Sequence, residues 1–254
     1  MSQTSWQPVN RWYNESVGAQ GHYYHQHVIL PGVLRLLQLD SRAKLLDLAC
    51  GQGVLARAVD TVDKQINYLG VDLAKGLIEA ARQQDRNPNH QYIIGDVSKP
   101  LAVKDQDFTH AAVILALQNI EHPERVINNI TQHLTQQGKL ILVLNHPCFR
   151  IPRQSSWEID EKNKLQYRRI NRYLSPLKIP ITAHPGQAQR SAVTWSFHWP
   201  LSSLSEWLNH SGLVIEKMEE WGSDKKSEGK AAKMEDRSRS EFPLFLTVLA
   251  RKNS

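Results

Sequence analysis

Cysteine is scarce in this chain: two residues, Cys50 and Cys148, among 254. That excludes a disulfide framework. No Cys/His group has the spacing of a zinc site, and nothing fixes a magnesium site, so no metal is expected. No run approaches the roughly 18 apolar residues of a membrane span. Met1–Asn10 is polar and carries no apolar core of a signal peptide. A cytoplasmic protein with no internal repeat is the resulting expectation. Hydrophobic residues are nonetheless 41% of the chain, enough for a sizeable core. The length suits one large α/β domain with an insertion, or two small domains.

Acidic residues are also outnumbered by basic ones, but only in one half. Up to Phe149 the Lys plus Arg count equals that of Asp plus Glu, so the whole excess of the formal charge of +6 lies from Arg150 onward. A basic surface of this kind attracts nucleic acid, anionic lipid or an anionic substrate. No aromatic–basic single-strand pattern accompanies it, so a solvated face is the simpler reading and nucleic acid is the less favoured partner.

The chain is organised around Lys44–Gly53, Lys-Leu-Leu-Asp-Leu-Ala-Cys-Gly-Gln-Gly. Leu45, Leu46, Leu48 and Ala49 form an apolar run too short for a helix and suited to a strand buried on both faces. A glycine turn and a helix start at Val54 follow, which is the opening of a nucleotide-binding βαβ unit. Gly51 and Gly53 let the backbone pass close to a ligand. Asp47 is a carboxylate within an apolar strand. Burying it alone would cost several kcal/mol, so it is expected to meet the backbone of the turn or a cationic ligand group. Gly51–Ala56 also fits the dinucleotide pattern G-x-G-x-x-G/A, with Asp72 at about the expected 20 residues beyond. A nicotinamide cofactor is therefore one alternative.

Asp47-Leu48-Ala49-Cys50-Gly51-Gln52-Gly53 resembles motif I of the class I S-adenosylmethionine-dependent methyltransferases, in its small-molecule, type 11/25 branch typified by ubiquinone- and menaquinone-biosynthesis enzymes. The family often has glycine where Ala49 stands, and Ala-Cys-Gly is a variant of that branch. The resemblance implies S-adenosylmethionine as cofactor, held by Asp47, Ala49, Cys50, Gly51 and Gly53. Asp72, ending the strand Asn67–Asp72, matches the family's ribose-binding acid, and Leu73 stands where an apolar residue touches adenine. The alternative role for Asp72 is to cap the helix Ala74–Gln84, and the spacing favours the ribose. Asp96 and Val97, after the strand Gln91–Gly95, match the pair that meets the adenine edge. Gln118, in the stretch after the strand Phe108–Leu115, matches the motif beneath the sulfonium. Three acids at three successive strand ends lie where open α/β sheets bind ligands. The implied fold is a doubly wound, Rossmann-like α/β sheet of seven mostly parallel strands with an antiparallel last strand.

Other segments flank this core. Residues 1–43 read as an N-terminal helical arm, with Ile29, Val33, Leu36 and Leu37 on one helical face. In the family such an arm closes over cofactor and substrate, which makes Tyr13, His22, Tyr23, Tyr24 and His25 candidates, Tyr13 for the cofactor and Tyr23 for the substrate. Residues 44–149 form the cofactor core and 201–254 complete its sheet. Residues 150–200 interrupt the alternation of strand and helix, and Thr194–His198 alternates like a strand. A stretch this long without the core pattern is usually functional. It reads as a substrate cap, with a solvated β-extension at a dimer contact as the alternative. Arg150, Arg153, Trp157 and His198, together with His122, are candidate substrate contacts and suggest a planar or anionic acceptor. Residues 222–241 read as a charged, mobile loop.

The implied reaction is in-line methyl transfer to an O, N, C or S nucleophile of a small molecule. Holding donor and acceptor in line can supply much of the acceleration. If the acceptor is a hydroxyl, a histidine is the natural base, with His146 first and Tyr24 and His25 next. An RNA methyltransferase, an NAD(P)-dependent oxidoreductase and a non-catalytic S-adenosylmethionine-binding partner protein are the alternatives. Sequence leaves the oligomeric state open.

Overall fold

The computed structural model describes Trp6, residues 17–18, 20–182 and 193–253. A π-helical turn, His25–Ile29, runs into α1, Leu30–Leu37. Pro31 sits in its first turn, where the missing N–H is no loss. Ile29, Val33 and Leu37 are wholly buried, as their helical spacing requires.

The core alternates strands and helices: β1 Lys44–Leu48, α2 Val54–Val59, β2 Asn67–Asp72, α3 Lys75–Gln84, β3 His90–Ile94, β4 Phe108–Ile114, α4 Pro123–His133 and β5 Leu134–Asn145. The inserted segment forms two hairpins, β6 Ser155–Asp160 with β7 Leu165–Ile170, and β8 Leu177–Thr182 with β9 Val193–His198. α5 Leu201–His210, β10 Leu213–Trp221, α6 Ala232–Glu241 and β11 Phe245–Lys252 complete the chain.

The main sheet has the order β10-β11-β5-β4-β1-β2-β3. β1 pairs in parallel with β4 and β2, and β11 runs antiparallel to both β5 and β10. This is the seven-stranded, doubly wound sheet with a reversed last strand. Chain direction switches sides between β1 and β4, and ligands of open α/β sheets bind at such a switch point, beyond the carboxyl ends.

The central strand shows why both faces must be covered. Leu45 belongs to the core shared with α1, α2 and α3, while Leu46 and Leu48 belong to the core shared with α4 and α5. Each of these side chains is fully buried, worth about 1.5–3 kcal/mol apiece. Period-2 alternation places Asp47 on the same face as Leu45.

One expectation needs correction. Residues 222–241 are not a loop throughout, since Ala232–Glu241 is helical. Its only apolar side chains are Ala232 and Met234, so no apolar stripe announced it. Polar contacts hold it: Asp236 accepts from the Ser227 amide at 2.8 Å and pairs with Arg239 at 3.3 Å.

Candidate active site

The carboxyl ends of β1 to β5 open on a cavity of about 480 Å³, within the ~300–1,000 Å³ typical of small-molecule sites. Ala49 and Gly51 from the turn after β1, Asp72 and Leu73 after β2, Asp96 and Val97 after β3, and Gln118 after β4 all line it. The turn is left-handed at Ala49 (φ 59°), Gly51 (φ 58°) and Gly53 (φ 76°). Alanine is strained in that region by roughly 1–2 kcal/mol.

Asp72 ties two turns together. One carboxylate oxygen accepts the Gly51 amide at 2.9 Å and the other accepts the Ala74 amide at 2.8 Å. This turn-bracing role and the cavity-lining role coexist, because each carboxylate oxygen retains a second lone pair; α3 itself starts after Ala74 with no side-chain cap. Burial pushes the Asp72 pKa up, against the backbone amides that favour its charge. Asp96 accepts the Ser98 amide and hydroxyl at 3.0 and 2.6 Å. Asn129 of α4 fixes the same loop by donating to the Val97 and Lys99 carbonyls.

Three motif residues lie outside the cavity wall. Asp47 meets neither turn backbone nor cavity: its carboxylate accepts the Tyr68 hydroxyl at 2.6 Å inside the core. Burial raises its pKa to about 7, with Asp72 adding and the Tyr68 bond opposing. Gly53 is required by a side chain, since a Cβ there would stand 2.7 Å from the Tyr92 hydroxyl oxygen. Cys50 packs beside Gly70, where an added Cβ would come within 2.8 Å of its sulfur. Tyr13 lies outside the described residues.

The arm closes one side of the cavity with Val17, His22, Tyr24 and His25. His25 is buried with Nδ1 unpartnered, and its ring lies 4.1 Å from that of His22. Burial, then the neighbouring His22, lowers its pKa to about 4, so its ring is neutral at pH 7. Tyr24 shares a hydrogen bond with Ser223 at 3.1 Å. Tyr23 faces outward instead, donating to Asp224 with Lys225 over its ring.

His146, the first-choice base, is not among the residues that line the cavity. It is buried with both ring nitrogens engaged: Nδ1 accepts the Cys148 amide at 3.2 Å, which leaves Nε2–H to donate to Glu220 at 2.7 Å. Burial holds its pKa below the usual value despite Glu220.

The far side of the cavity comes from the inserted segment. Arg150, Pro152, Ile181, Thr194 and Ser196 line it, and His122 does so from the start of α4. Gln118, Arg150, Pro152 and Ser196 also line a narrow side pocket of about 50 Å³ walled by Phe197, His198, Trp199 and Trp207. His198 is tied to the Tyr173 carbonyl at 2.6 Å. Arg153 and Trp157 reach neither space: Arg153 is exposed, and Trp157, on the first hairpin, meets Phe242 edge to face and has the Arg168 guanidinium over its ring. Only the second hairpin, β8–β9, faces the cavity. Asn145 and Thr194 line the wall with no motif to mark them; their positions at a strand end and within an alternating strand were the available signals.

The residues present fit an adenosyl cofactor. Carboxylates stand ready for hydroxyl and amino donors at Asp72 and Asp96, and the turn at Gly51 has no side chain to fill the space. Gln118 donates Nε2 to the Leu115 carbonyl at 2.8 Å, leaving Oε1 buried and unpartnered. Among the described residues no group of three or more His, Cys, Asp or Glu is placed to hold a metal ion.

Comparison with known proteins agrees. A family model described as a methyltransferase domain matches residues 46–142. Malonyl-[acyl-carrier protein] O-methyltransferase of Halalkalibacterium halodurans is 26% identical over 213 residues, 74% of this chain and 77% of that protein. Demethylmenaquinone methyltransferase of Chlamydia pneumoniae is 27% identical over 48% of this chain and 53% of its own length. An S-adenosylmethionine-dependent methyltransferase from Mesorhizobium loti superposes with a TM-score of 0.68 at 24% identity, over 92% of this chain and 100% of that one. A Haloferax volcanii methyltransferase in complex with the Trm112 activator superposes at 0.64 with 13% identity, over 100% and 98%. Those structural likenesses show the fold.

Proposed function

We propose that the chain is a class I S-adenosylmethionine-dependent methyltransferase, as the methyltransferase-domain match over residues 46–142 and the 26%-identical relative support, and that it methylates a small organic acceptor held between the β-edge and the second hairpin. The observation that carries this reading is one continuous cavity. It joins the acids at the β2 and β3 ends to Gln118, Arg150 and the β9 residues Thr194 and Ser196. Relatives named for a malonyl carrier-protein substrate and for demethylmenaquinone support an organic acceptor. We place the activity in the cytoplasm; no helix among the described residues is long and apolar enough to cross a membrane.

Asp72 and Asp96 would hold the nucleoside, and Ala49, Gly51 and Leu73 would shape its bed. S-adenosylmethionine, when bound, supplies an electrophilic methyl group on sulfur. Tyr24, His22 and His25 from the arm and the β8–β9 hairpin exclude water from the acceptor side. His25 Nδ1, on a weakly basic buried ring, orients a polar group better than it removes a proton. Alignment in a dry site is then the main contribution of the protein.

The test is a panel of small carboxylates, phenols, quinols and amines incubated with labelled S-adenosylmethionine. Turnover of at least one acceptor, lost in Asp96→Ala, is the expected result. Label entering RNA alone, or retained on the cofactor with every acceptor while a partner protein responds, would replace this reading.

A further inference from the structure

The wall of the cavity is electrically lopsided. At the nucleoside end stand Asp72 and Asp96, and at the other end Arg150 is the only lysine or arginine among the described lining residues. The third acid on the wall, Glu121, is already paired with Lys178 at 2.8 Å. Arg150 lines both the main cavity and the side pocket, and it is the only carboxylate, lysine or arginine lining the latter. Its guanidinium makes no hydrogen bond or ion pair with a described residue. The neighbouring Arg168 is, by contrast, held by the Phe149 carbonyl at 2.6 Å and the Ser155 hydroxyl at 2.7 Å. Both arginines therefore project positive charge into one region, and one of them keeps its planar fork of donors free.

Beyond Arg150 the surroundings turn apolar and aromatic, with Phe197, Trp199 and Trp207 in the side pocket. A free guanidinium beside an apolar recess matches a ligand with an anionic head and an apolar body. Bidentate pairing fits a planar carboxylate best.

We propose that the acceptor of this site is a small carboxylate with an apolar body, its carboxylate seated on Arg150 and its body held in the main cavity against the mouth of the recess lined by Phe197, Trp199 and Trp207. This rests on the methyltransferase reading for the identity of the neighbouring cofactor, but the recognition itself involves only residues of this chain. Arg150 thus sets specificity and orientation: it draws the acceptor to the end of the cavity opposite the two nucleoside acids, with Gln118 at the junction between the two spaces.

The test is ligand-observed NMR titration of the full chain with benzoate, benzamide, phenyl phosphate and acetate, with and without S-adenosylhomocysteine, on the wild type and Arg150→Gln. Benzoate should bind about tenfold or more tighter than benzamide and than acetate, and Arg150→Gln should abolish the first preference. The affinity for S-adenosylhomocysteine should change less than about twofold in the variant, which shows that the fold is intact. Equal binding of benzoate and benzamide, no binding of benzoate, or a preference that survives in Arg150→Gln would overturn the proposal. Tighter binding of phenyl phosphate than of benzoate would overturn the carboxylate in favour of a phosphate. Failure of S-adenosylhomocysteine to bind the wild type would strike the cofactor reading alone, since the benzoate preference is read without it.

Discussion

Asp47 and Asp72 are both buried carboxylates at the edge of the glycine turn, yet they carry opposite kinds of support. Asp72 accepts two backbone amides, while Asp47 has one neutral phenol. The consequence for Asp47 is a pKa of about 7 in the folded protein against 3.8 for an ordinary aspartate. Between those values the native state keeps a proton that the unfolded chain has lost, so this group's contribution to stability falls as pH rises through the window. Asp47→Asn keeps an acceptor for Tyr68 and removes the titration. Its melting temperature relative to wild type should therefore rise from pH 5 to pH 8; a difference independent of pH would contradict the assignment. Removing the Asp72 carboxylate leaves the Gly51 and Ala74 amides without partners. Asp72→Ala should cost about 1–3 kcal/mol in chemical denaturation as well as the cofactor affinity. Ala49, held at φ 59°, behaves in the other direction. Ala49→Gly should stabilise by roughly 0.5–1 kcal/mol, the left-handed strain less the entropy that glycine adds to the unfolded chain. At this scale sequence was a good guide to which residues gather and a poor one to what each touches. The family resemblance placed Asp72, Asp96 and Gln118 on the cavity wall. It could not foresee that Asp47 would turn to Tyr68, that Gly53 would make room for Tyr92, or that His146 would spend both ring nitrogens inside the protein, because those partners come from distant strands.

At the level of elements, α1 is fixed on the sheet by one close approach. A Cβ on Gly32 would lie 2.5 Å from the Trp221 ring, and that ring is pinned by its own N–H bond to Glu219 at 2.9 Å. Gly32→Ala should destabilise by about 1–3 kcal/mol through overpacking. It should also loosen the arm, which would appear as faster amide exchange in residues 22–37. Absence of both effects would mean that the arm is not seated through this contact. Strongly apolar elements were legible before the structure: β1, the Leu140–Val143 stretch of β5 and the α1 stripe are buried as their periodicities require. α6 was not, since a helix with almost no apolar side chain is held by ion pairs and by its setting, and no periodic signal encodes that. The inserted segment was visible as an interruption, and the β9 strand as an alternation. Which of its hairpins would face the cavity depends on how they dock, and Arg150 and Trp157 looked alike in sequence although only Arg150 reaches the wall.

For the whole molecule, the separation of charge noted along the chain acquires a location. The neutral first half builds the acidic nucleoside end, and the basic second half begins at Arg150, on the acceptor end of the same cavity. A cationic cofactor and an anionic acceptor would then approach from oppositely charged ends, a favourable arrangement for in-line transfer. The central claim is that this cavity holds S-adenosylmethionine. Calorimetric titration of the purified protein with S-adenosylmethionine, S-adenosylhomocysteine and NAD tests it most directly, with Asp96→Ala as the control because Asp96 serves only its own loop. Binding of the first two at one site per chain, weakened at least about tenfold in the variant and accompanied by no heat from NAD, is the predicted result. Binding of NAD alone, or S-adenosylmethionine binding indifferent to Asp96→Ala, would contradict the account.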